Sequence, residues 1–255
     1  MIISHRYKFI FVKTTKVGGT SLEMYLSNIC SNSAVVTPFW HPEAEHEPRN
    51  YRGFFNCIPE IDKRVKYQKR KLNKGIRRTL NEFVRREKFY EPMPAWQIKC
   101  RIPSRIWNSY YKFTIERNPF DKITSRYFHS KRVYERKYND ELTFDKWYNY
   151  FKSRINRPWL TKAWGSEAPL NYPRYSDPWT DELLVDRVLR YEHLIDELEE
   201  VFAVLEVPFE GRIPFRAKGK YRKKGIGYRE LIPEKYIDEI LQIFDKELKL
   251  MNYSY

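Results

Sequence analysis

The chain has few cysteines and no long apolar run. Its 255 residues contain three cysteines, Cys30, Cys57 and Cys100, and none of them forms a C-x-x-C pair. This small, odd and scattered set excludes a disulfide framework and favours a reducing compartment. No segment reaches the length of a membrane span, and no basic region with an apolar core precedes the first predicted strand. We therefore expect a soluble, cytoplasmic protein.

Internal repeats and low-complexity tracts are also missing, so the length predicts one α/β domain with loop insertions. Positive charge, in contrast, is abundant. The sequence has 48 Lys and Arg against 33 Asp and Glu, a formal net charge of +15. This balance indicates a polyanionic partner, which could be a nucleic acid, a nucleotide, an acidic glycan or a membrane surface.

The first informative stretch, residues 7–29, combines a short strand, a glycine turn and a helix. Residues 7–12 are mostly aromatic or β-branched, as in a buried strand. Gly18 and Gly19 allow a sharp turn and close approach to a ligand, and Thr20 or Ser21 is placed to cap the helix. The helix N-terminus, with the charge of a neighbouring lysine, predicts an anion site. Its candidate residues are Lys16, Gly18, Gly19, Thr20 and Ser21.

A second strand-turn-helix unit follows about a hundred residues later. Residues 111–116 form the predicted strand, Asn118 is placed to cap the next helix, and Pro119 suits its first turn. Arg117 ends the strand. Alone, such an arginine more often forms a salt bridge than binds phosphate. The strand-turn-helix unit upstream strengthens the prediction that Arg117 binds phosphate.

Strands alternating with helices predict a three-layer α/β fold, with a mainly parallel sheet flanked by helices and long loop insertions. Further helices are expected at 95–101, 104–110, 143–155 and 192–205 and after Pro233, and a third strand at 183–191. Ligands of such sheets bind at the carboxyl ends of the strands, where both marked loops lie.

Residues 61–88 are the most basic segment, with twelve basic and three acidic residues and a net charge of +9. Apolar residues recur near helical spacing and predict an amphipathic helix. They are Ile61, Val65, Leu72, Ile76, Leu80 and Val84. The basic face is either the solvated side of a packed helix or a docking surface for a polyanion or an acidic membrane.

The two loops together resemble the PAPS-dependent carbohydrate sulfotransferases, in the branch of the heparan 2-O- and chondroitin-type enzymes and their bacterial relatives. Lys-Val-Gly-Gly-Thr-Ser at 16–21 is similar to the 5′-phosphosulfate loop of that family. YKFTIERNPFDKITS at 111–125 is similar to its 3′-phosphate site, and the segments RVLRYEHL and MNYSY also resemble the family. The resemblance implies a single domain over 1–255 with a P-loop-like fold and a basic helical insertion at about 61–90.

Site roles follow from the resemblance. Lys16 would contact the bridging oxygen and the sulfuryl group of PAPS, and the backbone N–H groups of residues 18–21 would hold the 5′-phosphate. Arg117 and Ser125 would bind the 3′-phosphate. The basic loop at 216–224 would close over the nucleotide through Lys218, Tyr221 and Arg222. PAPS would serve as co-substrate without a metal, and the sulfuryl acceptor would be a hydroxyl of a saccharide or glycolipid.

The sequence departs from the family at the general base, because Pro92 stands where relatives carry a histidine. Three explanations stay open: Glu91 is the base, His41 or His46 reaches in, or the protein binds PAPS or PAP without catalysis. A basic nucleic-acid-binding protein is the alternative function, although no recognisable nucleic-acid module occurs and a nucleic acid is not an obligate partner. The Walker pattern of an NTPase is also missing, since Lys16 precedes the glycines.

Overall fold

A mixed β-sheet lies at the centre of the protein. The computed structural model describes residues 1–39, 46–68, 72–155, 170–214 and 226–255. Within these ranges the sheet has five strands in the order β3-β1-β2-β4-β5. The strands are β1 (Ile2–Ser4), β2 (Phe9–Phe11), β3 (Val35–Val36), β4 (Tyr111–Glu116) and β5 (Arg187–Arg190).

The sheet is only partly parallel. β2 pairs with β4 and β4 with β5 in parallel, whereas β1 pairs antiparallel with both β2 and β3. The mainly parallel arrangement expected from the sequence therefore holds for β2, β4 and β5. The difference arises because β1 and β2 form a hairpin, in which Lys8 has a left-handed φ of 51°. The carboxyl ends of β2 and β4 consequently lie side by side.

Helices cover both faces of the sheet. In chain order they are α1 (Gly19–Ile29), α2 (Ile58–Tyr67), α3 (Leu72–Val84), α4 (Ala95–Arg101), α5 (Ser104–Ser109), α6 (Pro119–Tyr138), α7 (Phe144–Ile155), α8 (Tyr172–Tyr175), α9 (Leu194–Val204), α10 (Tyr228–Leu231), α11 (Ile237–Ile243) and α12 (Asp245–Met251). Short 3₁₀ turns precede α9 at Tyr191–His193 and α11 at Glu234–Tyr236.

Alternation along the strands divides the core. Phe9 and Phe11 of β2 pack with residues of α1 and α9 on one face, and Ile10 packs with α4 and α5 on the other. A further apolar cluster joins α6 and α7 to α11 and α12. The α/β class with helices on both faces is thus confirmed.

Local patterns predicted most elements well. The strand at 111–116 and the helix at 95–101 have the expected bounds. The strand expected at 183–191 is shorter, spanning Arg187–Arg190. The capping prediction is wrong: Gly18, with φ 71°, is the N-cap of α1, so Thr20 and Ser21 lie inside its first turn. Glycine takes this position because it adopts the left-handed conformation without strain.

The basic segment forms two helices rather than one, and its packing inverts the expected pattern. Polar side chains of α2 and α3 are buried between the helices: Glu60, Arg64, Thr79 and Glu82. In the predicted apolar stripe, Val65, Leu80 and Val84 are exposed, and the other three residues, Ile61, Leu72 and Ile76, are half-buried. The apolar stripe is therefore not the surface that joins these helices to the rest of the protein.

An ion-paired network explains this inversion. Arg101 of α4 is fully buried, and its guanidinium pairs with Glu60 Oε2 at 2.8 Å and Glu82 Oε2 at 2.5 Å. Glu60 Oε1 also accepts hydrogen bonds from Thr79 Oγ1 and Gln97 Nε2. Burial opposes ionisation of Glu60, but the charge of Arg101 outweighs it and lowers the pKa to about 2. These pairings hold α2, α3 and α4 together.

We predict that Glu60→Gln destabilises the protein by about 3–5 kcal/mol, because it leaves the buried Arg101 without its main partner. Urea unfolding at neutral pH measures the loss. The exposed Glu87 provides the matched control, and Glu87→Gln should change the free energy of unfolding by less than about 0.5 kcal/mol.

The same carboxylate predicts a pH dependence. The folded-state pKa of Glu60, about 2, lies below the ordinary value of 4.5, so its contribution to stability is complete above pH 4.5 and is lost as the pH falls towards 2. The stability difference between wild type and Glu60→Gln should shrink over that range. A difference that stays constant would contradict the assigned ion pairs.

Candidate functional site

The loop after β2 is fastened to β4 on both sides. Thr14 Oγ1 donates to the carbonyl oxygen of Ile115 at 2.5 Å, and Thr114 Oγ1 donates to that of Val12 at 2.7 Å. Beyond these bonds the backbone turns at Lys16, with a left-handed φ of 64°, and again at Gly18 before α1 begins. The predicted loop is therefore fixed at the carboxyl edge of the sheet.

The second predicted site meets the first at this edge. Nη1 of Arg117 lies 3.5 Å from the carbonyl oxygen of Lys16, and its Nε donates to Asp121 Oδ2 at 2.6 Å. The guanidinium stands 4.3 Å from the ring centroid of Tyr191. A Cβ built on Gly18 would lie 2.8 Å from Cε2 of the same ring. Tyr191 thus packs against both loops, and only glycine fits beside it.

Two helices begin here. The N-cap of α1 is Gly18, which has no side chain to cap the helix, and the first turn has no acidic residue. At α6, Asn118 Oδ1 accepts from the backbone N–H of Phe120 at 3.0 Å, as predicted, and Pro119 opens the helix. The positive ends of two helix dipoles therefore adjoin the loops, an arrangement that favours anions.

The other predicted nucleotide contacts divide into two groups. Ser125 lies half-buried on α6, in the third turn after Arg117. Lys218, Tyr221 and Arg222 lie outside the described residues, as does His41.

A buried asparagine that the sequence did not single out holds the first loop. Oδ1 of Asn171 accepts from the backbone N–H and the hydroxyl of Thr15, at 2.9 and 3.0 Å. Its Nδ2 donates to the Thr15 carbonyl at 3.1 Å and to Glu116 Oε1 at 3.2 Å. Glu116 in turn pairs with the buried Lys122 at 2.7 Å. Asn171 therefore ties the residue before Lys16 to the end of β4.

A second polar cluster surrounds Lys13, which sequence reasoning also missed. Its Nζ pairs with Glu23 of α1 at 2.7 Å and with Oε1 of Glu91. The same Nζ lies 4.2 Å from the ring centroid of Phe39, on which the ring of His46 stacks at 3.6 Å. Glu91 and His46, two candidates for the general base, are therefore brought to one place.

Glu91 and His46 lie in different environments. Nε2 of His46 is hydrogen-bonded to the carbonyl oxygen of Thr37 at 2.8 Å, and burial lowers the pKa of its ring. Burial raises the pKa of Glu91, against the charge of Lys13. Burial also opposes ionisation of Glu23, but the charge of Lys13 and that of the N-terminal amine lower its pKa to about 2. Of the two carboxyls on Lys13, Glu91 is the one that takes a proton more readily.

No group of three or more His, Cys, Asp and Glu side chains within the described ranges is arranged to hold a metal ion. In the same ranges, no helix combines the length and the apolar character that crossing a bilayer requires.

Comparison with known proteins finds an archaeal relative of similar sequence. A protein of Archaeoglobus fulgidus, described as an uncharacterized protein, is 33% identical over 135 residues, which are 51% of this chain and 98% of the relative. The chain belongs to the same family as this protein, and the match assigns no activity. No protein-family profile matches the chain. No solved structure matches it either.

We predict that Asn171→Ala destabilises the protein by about 2–3 kcal/mol, because Glu116 and the backbone of Thr15 lose buried hydrogen bonds. Thermal or urea unfolding measures the effect. Asn32 is exposed, and Asn32→Ala should be nearly neutral. Equal stabilities of the two variants would contradict the role assigned to Asn171.

Proposed function

We propose that the protein is a PAPS-dependent sulfotransferase, which transfers the sulfuryl group of PAPS to a hydroxyl of a carbohydrate or glycolipid. One observation carries the proposal: the Lys16 loop and Arg117 meet at the carboxyl ends of the adjacent parallel strands β2 and β4. A sheet of this kind binds its ligand at that edge. In its finer detail, we propose that the fold is of the P-loop-like three-layer type.

The charges of PAPS suit the two positions. Its 5′-phosphosulfate would lie at the N-terminus of α1, held by the backbone N–H groups of Gly18, Gly19 and Thr20. The N–H of Ser21, also expected to hold it, donates to the carbonyl oxygen of Gly18 at 3.0 Å. Its 3′-phosphate would lie at Arg117 and Ser125, near the N-terminus of α6. Arginine forms charged hydrogen bonds to phosphate oxygens. Nε and Nη2 of Arg117 pair with Asp121, and the ring of Tyr191 supports the guanidinium, so that Nη1 lies towards the Lys16 loop.

Sulfuryl transfer needs stabilisation of the leaving phosphate and removal of one proton. The acceptor oxygen forms a bond to sulfur while the bond between sulfur and the bridging phosphate oxygen breaks, which releases PAP. Negative charge develops on that bridging oxygen. Lys16 placed there stabilises the transition state more than the ground state.

Glu91 is the base that the structure supports best. Lys13 holds its Oε1, and its Oε2 has no hydrogen-bond partner among the described residues. The neighbouring Glu23 raises the pKa of Glu91 further, after the larger effect of burial. Two carboxyls whose pKa values are pushed apart take different roles. Glu23 would stay ionised to hold Lys13, and Glu91 would accept the proton of the acceptor hydroxyl.

We predict that PAP raises the melting temperature by about 5–10 °C at a hundredfold excess over its Kd, and that ATP and NAD raise it less. Arg117→Ala should weaken PAP binding roughly 10- to 100-fold through loss of charged hydrogen bonds. Calorimetric titration measures the affinity. Equal stabilisation by PAP, ATP and NAD would contradict the proposed donor.

Lys16→Ala should lower the rate of PAP release roughly 10²- to 10³-fold with a glycan acceptor. Lys8 is the matched control, because it also has a left-handed φ and lies at the opposite end of β2. Lys8→Ala should keep full turnover. PAP binding without turnover, for any glycan or glycolipid, would indicate a homologue that binds PAP and lacks catalysis.

Glu91→Gln should lower kcat roughly 10²- to 10⁴-fold and leave PAP binding intact. A base works when it is ionised, so the wild-type kcat should fall as the pH drops through the raised pKa of Glu91, above its ordinary value of 4.5. The variant should lose this acidic limb. Full activity of Glu91→Gln across the pH range would exclude Glu91, and the same profile measured on His46→Ala then tests the histidine.

A further inference from the structure

The outer side of α2 and α3 carries large apolar side chains exposed to solvent. On α2, Ile58 and Val65 are seven residues apart and therefore lie on one side of the helix. On α3, Leu80 and Val84 are four residues apart and do the same. Their exposed fractions range from 43% for Leu80 to 74% for Val84. Exposure of so many apolar groups within two helices is costly unless something covers them.

The two helices run antiparallel, which places Ile58 and Val84 at the same end of the pair. Glu60, near the start of α2, contacts Thr79, near the end of α3, and Arg64 reaches the same threonine from the next turn. The start of α2 therefore lies beside the end of α3. Phe54 joins this end, because its ring lies 5.3 Å from that of Phe83 and under the guanidinium of Arg86 at 4.6 Å.

Of the nine cations that the structure describes within residues 61–88, eight fall into two groups and Lys88 is half-buried. Lys63, Arg64 and Arg78 form ion pairs inside the protein, with Asp177, Glu60 and Glu82 respectively. Five others are exposed, and none of the ion pairs found among the described residues involves them. We name the combined surface the basic-apolar face, and its residues are Phe54, Ile58, Val65, Leu80 and Val84 with Lys66, Lys74, Arg77, Arg85 and Arg86.

The composition of this face selects among its possible occupants. A nucleic acid or an acidic glycan would satisfy the cations, but its phosphates or sulfates would leave the apolar side chains in water. A second copy of the chain could cover the apolar groups, but it would bring five cations against five. An anionic bilayer offers both a negative surface and an apolar layer beneath it.

We propose that the basic-apolar face docks the protein peripherally on an anionic lipid bilayer. Phe54, Ile58 and Val84 would enter the boundary between headgroups and acyl chains, while the cations would lie at the lipid phosphates. The proposal is independent of the sulfotransferase activity, since its residues belong to neither loop of the candidate site.

Vesicle flotation of the full chain tests the proposal. The protein should float with vesicles of phosphatidylcholine mixed with phosphatidylglycerol, and binding should weaken in high salt as the surface charge is screened. It should bind pure phosphatidylcholine vesicles much more weakly. Equal binding to both vesicle types, or to neither, would overturn the proposal.

Two pairs of variants separate the apolar and the charged contributions. Val84→Ser should weaken binding severalfold, whereas Val204→Ser should not; the two valines are 74% and 73% exposed and each ends a helix. Arg77→Gln should weaken binding roughly fivefold, and Arg105→Gln, on the exposed part of α5, should not. Melting curves confirm that each variant is folded.

The same proteins mixed with heparin and with duplex DNA test the competing occupants. If Arg77→Gln weakens polyanion binding while Val84→Ser leaves vesicle binding unchanged, the face binds a polyanion and the membrane proposal fails. If Val84→Ser changes the sedimentation of the free protein from dimer to monomer, the face is an interface between copies and the proposal fails as well.

Discussion

The carboxylate of Glu116 holds together the segments that form the candidate site. It is fully buried at the end of β4, where its Oε1 pairs with Lys122 of α6 and accepts from Asn171. Its Oε2 accepts from the hydroxyl of Tyr175 at 3.1 Å, and its Oε1 also accepts from the backbone N–H of Arg117. A buried carboxylate is tolerated only when it is paired and hydrogen-bonded, so each partner is constrained in position. The geometry of both loops of the candidate site therefore depends on this one buried side chain.

Several charged side chains of this chain are buried in ion pairs. The net charge of +15 therefore does not measure the charge that a partner could meet. Lys122, Arg101 and Lys13 are each enclosed with two carboxylates. These cations hold the fold together and are not offered to a partner. The exposed cations of the described residues include the five of the basic-apolar face. A count of basic residues indicates a polyanionic partner, and only the burial of individual side chains says which surfaces meet it.

The parts of the fold that were predictable from the sequence depend on neighbours along the chain. Each of three such features is determined by residues close together in sequence: the buried run of β4, the cap at Asn118 and the glycine turn before α1. The meeting of the two loops was also predictable, because it follows from parallel pairing of β2 and β4. Asn171 and Lys13 were not, since their roles come from partners that lie 156 and 78 residues away, Thr15 and Glu91. The inverted packing of α2 and α3 has the same cause, because Arg101 draws Glu60 and Glu82 inwards.

Lys13 and Lys16 are three residues apart, and their different surroundings suit them to different roles. Lys13 is enclosed by Glu23 and Glu91, so its charge is balanced before any ligand arrives. Lys16 follows the clamp that Asn171 makes on Thr15, at the point where the backbone turns towards Arg117. A buried, ion-paired lysine suits the positioning of a base, and a lysine in a loop at the N-terminus of a helix suits the binding of an anion. Glu23 also pairs with the N-terminal amine of Met1 at 2.5 Å, so the cluster holds two cations and two carboxylates, and a proton accepted by Glu91 would leave it with one net positive charge. The charges of Lys13 and of the N-terminal amine favour loss of that proton again, which returns Glu91 to its ionised form.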